Sequence, residues 1–134
     1  MLINTPISLG ELVDKISILI IKQKNIADET KLDHVKKELD FLQKTLMNYV
    51  QQEEINTYLE NLININSKLW NIEDDIRECE RKKLFDQTFI DLARSVYFTN
   101  DERAKVKNNI NKAFGSELVA VSYTHLTLPT IYSV

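Results

Sequence analysis

The residues best able to do chemistry are polar side chains on an otherwise apolar helical stripe. In the last long amphipathic segment, apolar residues recur at three- and four-residue spacing, but Thr99 and Arg103 occupy two of those positions. An arginine fork on such a face can bind a carboxylate inside the protein or a phosphate from solution. The pattern leaves two hypotheses open, a structural polar layer and an anion-binding pocket.

Other polar groups reach the same level if this segment folds back on the preceding one. With a turn near Phe85, facing residue numbers sum to about 170, which brings Arg103 near Asn66 and Ser67. A structural layer of this kind fixes helix register and oligomeric state at some cost in stability. A pocket would instead use Arg94, Asn100 and Arg103 to hold an anion. The candidate polar layer or binding site comprises Trp70, Glu73, Asp74, Arg94, Tyr97, Asn100, Asp101 and Arg103.

Paired carboxylates offer a weaker metal hypothesis. Glu11 and Asp14 lie three residues apart on one helix face, and Asp75 and Glu78 repeat that spacing. Two such pairs on facing helices could hold Mg²⁺, although acidic residues at this spacing are also common on solvated helices. The alternative function is therefore a small all-α enzyme or ligand-binding protein for a phosphorylated or nucleotide substrate. It would place Glu11, Asp14, Glu73 and Asp74 around the metal, with Arg94 and Arg103 on phosphate.

No other catalytic signature stands out. The sequence has no glycine-rich phosphate loop, no nucleophile elbow and no cysteine–histidine metal spacing. Cys79 lies on a helical apolar stripe and is expected to be a small buried hydrophobe, and His34 has no second ligand nearby. We therefore expect no cofactor, and the sequence leans away from an enzyme.

The composition favours long helices joined by few turns. The chain has 134 residues with two Gly and two Pro, too few for a turn-rich sandwich or barrel. A formal net charge of -3 disfavours a nucleic-acid partner. No apolar run approaches the about 18 residues of a membrane span, and no signal peptide is recognisable. These features predict a protein of the cytoplasm with no membrane partner.

Four helices are predicted from capping residues and apolar spacing. Ser8 with Glu11 forms a capping box, Asp28 and Asp86 are further N-cap candidates, and Gly115 suits a left-handed C-cap. The first helix is expected to end near Ala27, the second to break near residues 51–54, and the third to reach Lys83. A competing interpretation breaks the last helix at residues 99–102, and the continuous apolar spacing favours one unbroken helix.

The apolar seams predict self-association. Helix 2 keeps heptad spacing from Leu32 to Tyr49, and helix 3 keeps it from Ile55 to Cys79. Helix 3 is longer than helices 1 and 2 can cover at one level, so part of its seam should meet another subunit. The fold class is all-α, an antiparallel bundle of about four helices with a long coiled-coil-like hairpin. The function favoured is an oligomerisation or protein-interaction module.

Several segments resemble one family. They are Gly-Glu-Leu-Val-Asp-Lys-Ile-Ser-Ile-Leu from Gly10, Leu-Trp-Asn-Ile-Glu-Asp from Leu69, Phe-Ile-Asp-Leu-Ala-Arg-Ser-Val-Tyr from Phe89, and Gly-Ser-Glu from Gly115. In these segments the chain resembles a bacterial family that is defined by domain of unknown function 6165. The resemblance implies no activity, and it suggests a glycosyltransferase or surface-polysaccharide context.

The C-terminal residues differ from the rest. Residues 121–134 contain no charged side chain, whereas relatives are expected to continue after Gly-Ser-Glu with a charged end. The string Val-Ser-Tyr-Thr-His-Leu-Thr-Leu-Pro-Thr resembles the translation of a sequencing-library adapter. We therefore predict a single helical domain over residues 1–119 and a non-native tail over residues 120–134.

Overall fold

A computed structural model describes residues 1–115 of the chain, and within that range it contains four α-helices and no strand. The helices are α1 (Leu9–Asn25), α2 (Glu29–Met47), α3 (Gln52–Lys82) and α4 (Gln87–Phe114). The predicted all-α helical bundle is confirmed. The proposed tail over residues 120–134 lies outside the described residues, so the domain boundary at residue 119 stays a prediction.

The helix ends follow local sequence signals. The side chains of Ser8, Asp28 and Asp86 each accept a hydrogen bond from the backbone N–H three residues on, which satisfies one exposed donor of the first turn. Gly115 ends α4 with a φ of 69°, the left-handed conformation that glycine adopts without a Cβ penalty. All four predicted cap positions are confirmed, but of the predicted capping box the structure shows the Ser8 half, and the Glu11 side chain pairs with Lys107. Helix α1 ends at Asn25, two residues before the predicted end.

Helix α1 is the central element, because it packs against each of the other three helices. Its residues Val13 and Ile16 are fully buried, as are Ile55 and Leu62 of α3 and Ile110 of α4. Helix α2 lays its apolar stripe on this cluster through Val35, Leu39 and Leu46. Burial of side chains of this size stabilises the fold by about 1.5–3 kcal/mol each, before chain entropy is counted.

Helices α3 and α4 form a long antiparallel hairpin in the predicted register. Lys68 Nζ lies 3.9 Å from Glu102 Oε1, so facing residue numbers sum to 170 at this level. Helix α4 runs without interruption through residues 99–102, which confirms the continuous helix over the competing break. With 31 residues, α3 is about 46 Å long at about 1.5 Å per residue.

The distal part of this hairpin lacks a buried core. The last buried residue of α3 before the turn is Glu73, and the first of α4 after it is Thr99. No residue from 74 to 98 is buried. We call residues 74–98 the arm. It projects from the bundle as two helices that cover each other on one side only.

Two residues that the sequence predicted on apolar helical stripes are not buried. Cys79, expected to be buried, is half-buried because it lies on the arm. Tyr49, the last seam residue predicted for helix 2, is 74% exposed. Helix α2 already ends at Met47 and the chain turns over residues 48–51, slightly before the predicted break, so Tyr49 falls outside the helical stripe.

Candidate functional site: a buried polar cluster between three helices

The centre of the candidate site is a buried ion pair between α1 and α4. Arg103 Nε donates to Asp14 Oδ1 at 2.8 Å, and Arg103 Nη2 donates to Asp14 Oδ2 at 2.5 Å. The two side chains are 6% and 2% exposed. This is the bidentate arginine–carboxylate geometry, in which two parallel hydrogen bonds fix the relative orientation of both groups. Arg103, the polar residue on the α4 seam, is therefore paired with a carboxylate of the protein itself.

Helix α3 joins the same cluster through an asparagine. Asn66 Nδ2 donates to Asp14 Oδ1 at 3.0 Å and to Ser17 Oγ at 2.7 Å, and all three side chains are buried. Ser17 Oγ in turn donates to the backbone oxygen of Asp14 at 2.6 Å. Asp14 thus receives hydrogen bonds from both helices of the hairpin. The predicted proximity of Arg103 and Asn66 arises through this shared carboxylate.

A second ion pair lies at the edge of the cluster, one turn further along. Lys107 Nζ donates to Glu11 Oε1, and it lies 3.9 Å from Asp14 Oδ2. The Lys107 side chain is 10% exposed, whereas that of Glu11 is 37% exposed. Glu11 is therefore the only member of the two pairs with substantial access to solvent. Two acidic and two basic side chains alternate across the α1–α4 contact.

The central pair, Asp14 and Arg103, is held in the ionised state. Burial alone would raise the pKa of Asp14, but the hydrogen bond and charge of Arg103, with the charge of Lys107, outweigh it and lower that pKa. Burial alone would lower the pKa of Arg103, but Asp14, Glu11 and Glu73 raise it. Asp14 is accordingly a carboxylate at neutral pH and an acceptor only.

Three of the predicted layer residues belong to this cluster. Asn100 Oδ1 accepts from Arg103 Nη1 at 3.3 Å, and Asn100 Nδ2 donates to the Val96 backbone oxygen. Glu73 is buried on α3, and its charge contributes to the raised pKa of Arg103. Arg103, Asn100 and Glu73 are therefore brought together in this cluster.

The other predicted residues are half-buried or exposed. Arg94 is exposed, and its guanidinium carbon lies 5.9 Å from the centre of the Phe98 ring. Nine residues separate Arg94 from Arg103, which at about 100° per residue places them on opposite sides of α4. Tyr97 is half-buried beside Phe98. Trp70 is half-buried, and both Asp74 and Asp101 are exposed.

The proposed metal ligands Glu11 and Asp14 do share one helix face. Each of them is engaged by a basic residue of α4, Glu11 by Lys107 and Asp14 by Arg103. Across residues 1–115, no group of three or more acidic, histidine or cysteine side chains is placed to hold a metal ion. The Asp75 and Glu78 pair lies on the arm, away from this cluster.

Lys107, Ser17 and Asn111 are cluster residues that the sequence analysis missed. Asn111 Oδ1 accepts a 2.7 Å hydrogen bond from the backbone N–H of Gly10, in the first turn of α1. An added Cβ on Gly10 would lie 2.4 Å from the Lys107 backbone oxygen, so this glycine permits the close approach of α1 to α4. For Lys107 and Asn111 the sequence did carry a signal, because polar residues recur every four positions on α4 from Thr99 onward.

Together these contacts define a helical bundle in which α1, α3 and α4 meet in one buried polar cluster. The chain matches the family described as a family of unknown function (DUF6165) over residues 3–129, and it belongs to that family. No curated protein and no solved structure matches it. Within the described residues, no helix has both the length and the apolar character to cross a membrane.

Proposed function

We propose that this protein is a homo-oligomeric interaction module whose docking surface is the arm, residues 74–98. The observation that supports this proposal is the set of exposed apolar side chains on the arm. Leu84, Phe85, Ile90 and Phe98 are each about half exposed, and no residue of the arm is buried. Exposed apolar side chains gathered on one projecting element are typical of an interaction surface.

The occupant that we propose for this surface is a second copy of the chain. A two-helix hairpin leaves the outer half of each seam in water, and a second hairpin supplies two further helices to complete a four-helix arrangement. Closed symmetric dimers are the commonest soluble oligomers, since one patch serves both partners.

In this proposal the polar cluster orients the arm. Asp14 ties α1 to both α3 and α4 at the point where the arm leaves the bundle, so the arm extends from a fixed base. A buried side chain that hydrogen-bonds to specific partners on two other helices sets where those helices meet. The cluster therefore acts as a positioning element, and the arm as the surface that binds.

Our proposal for the cellular setting rests on the sequence and on the family resemblance. We propose that the module works in the cytoplasm, and that its pathway is a glycosyltransferase or surface-polysaccharide one. Its self-association would then supply a multivalent platform on which a protein partner can bind more tightly than to one copy.

Thermal unfolding at several protein concentrations tests the proposal. Oligomerisation stabilises the folded state by mass action, so the Tm of the parent chain should rise with concentration. Leu84→Glu places a charge on the exposed arm surface and should abolish that rise. Phe41→Glu is the matched control, because Phe41 is an exposed aromatic residue on α2 outside the arm. A Tm independent of concentration in the parent chain would contradict the proposed function.

A further inference from the structure

The arm carries a groove whose lining differs along its length. It has a volume of about 230 Å³ and lies between α3 and α4. Cys79, Leu84 and Leu92 provide its apolar part. An apolar cavity of about 150 Å³ already accepts a benzene ring, so this groove can accept a leucine-sized side chain from a partner.

The charges beside the groove change sign along α3. Its lining residues Asp75, Glu78, Cys79 and Lys82 fall on one face of the helix, since they recur at three- and four-residue spacing. The acidic residues lie on the bundle side of Cys79, and Lys82 lies on the turn side, followed by Lys83. Asp75 and Lys82 are about 10 Å apart along the axis, with Cys79 roughly midway.

The hairpin register places an apolar contact at the same midpoint. Leu92 of α4 lies level with Cys79, since their numbers sum to nearly the 170 fixed by Lys68 and Glu102. The groove thus has an apolar centre with an acidic flank and a basic flank. An apolar centre with a polar rim is the usual anatomy of a protein interface.

Resting on the proposed function, we infer that two arms pair antiparallel about a two-fold axis close to Cys79, with Asp75 of each copy opposite Lys82 of the other. A two-fold axis exchanges the flanks, so the acidic flank of one copy meets the basic flank of the other. A parallel arrangement would bring like charges together, which costs free energy in an interface. The charge order along α3 therefore selects the antiparallel pairing.

Charge reversal of the full chain tests this pairing. Asp75→Lys and Lys82→Asp should each raise the dimer Kd at least about tenfold, because each places two like charges opposite one another at positions 75 and 82. An equimolar mixture of the two variants should restore association, because the lysines at positions 75 and 82 of one variant then face the aspartates at positions 82 and 75 of the other. Glu80→Lys is the control on the arm but outside the groove lining, and it should leave the Kd unchanged. Circular dichroism establishes that each variant is folded.

Cross-linking provides a second readout, because Cys79 is the only cysteine in the sequence. A short bis-maleimide should convert the parent chain into a covalent dimer through Cys79 of both copies, and a Cys79→Ser variant should give none. An associated parent chain with neither the cross-link nor the mixing effect would overturn the antiparallel pairing and leave the proposed function standing. A chain that stays monomeric would overturn both.

Discussion

Asp14 and Arg103 are 89 residues apart in sequence, and they form a two-point ion pair that is nearly closed to solvent. The pair connects the first helix to the last one. Asn66 adds the third helix through the same carboxylate oxygen. One acidic side chain of α1 therefore hydrogen-bonds to both α3 and α4.

Removing one partner of this pair should be strongly destabilising. Asp14→Ala leaves a buried guanidinium uncompensated, and Arg103→Leu leaves a buried carboxylate, so each should cost about 3–5 kcal/mol of unfolding free energy. Urea denaturation followed by circular dichroism measures the loss.

The double variant Asp14→Leu with Arg103→Leu should be more stable than either single variant, because no unpaired charge is left. Asp33→Asn is the surface control, since it breaks the exposed ion pair of Asp33 with Lys37 and should leave stability nearly unchanged. Additive losses in the double variant would contradict direct coupling of Asp14 and Arg103.

The ion pair should also make stability depend on acidity. The folded-state pKa of Asp14 lies below its ordinary value of 3.8, so its contribution is complete above pH about 4 and falls as pH drops toward the folded pKa. The destabilisation caused by Asp14→Asn should therefore be largest at neutral pH and shrink below pH 4. The raised pKa of Arg103 keeps its own contribution constant throughout this range. Denaturation curves from pH 7 to pH 3 measure the difference, and a constant gap would contradict it.

Gly10→Ala should be destabilising although it replaces glycine within a helix. Such a change ordinarily stabilises a helix by about 0.5–1 kcal/mol. Here the new Cβ would meet the Lys107 backbone oxygen at 2.4 Å, so α1 must move off α4 and weaken the Gly10–Asn111 hydrogen bond. We expect a net loss of about 1–3 kcal/mol. An unchanged or raised Tm would show that the helices are not in close contact at this point.

Phosphate, or a nucleotide with Mg²⁺, should not raise the Tm of the parent chain. Arg103 already donates to Asp14 and Asn100, and Arg94 lies on the opposite side of α4, so these two guanidinium groups do not face a common anion. Thermal unfolding across a ligand titration measures the effect. A saturable rise that disappears in Arg94→Leu and Arg103→Leu would favour the ligand-binding alternative.

Features with a local cause could be predicted from the sequence. The caps at Ser8, Asp28, Asp86 and Gly115 depend on residues within one helical turn, and each occurs where the side-chain chemistry places it. The hairpin register could also be predicted, because a single short turn near Phe85 fixes which residues face one another. This register brought Arg103 to the level of Asn66.

Features that depend on the third helix could not be predicted in the same way. Asp14 lies three residues from Glu11, a spacing equally typical of a solvated helix and of a weak metal site, and nothing local identifies Arg103 as its partner. The half-buried state of Cys79 has a similar origin. Periodicity marks Cys79 as a seam residue, but its burial depends on whether another helix reaches the arm.

Sedimentation equilibrium of the full chain over a micromolar concentration range tests the central claim most directly. The claim is that the arm is a self-association surface. We predict that the parent chain sediments at twice its monomer mass of 15.6 kDa or more, and that Leu84→Glu returns it to the monomer mass. A parent chain at 15.6 kDa across the whole range, or a Leu84→Glu variant as large as the parent, would contradict the claim.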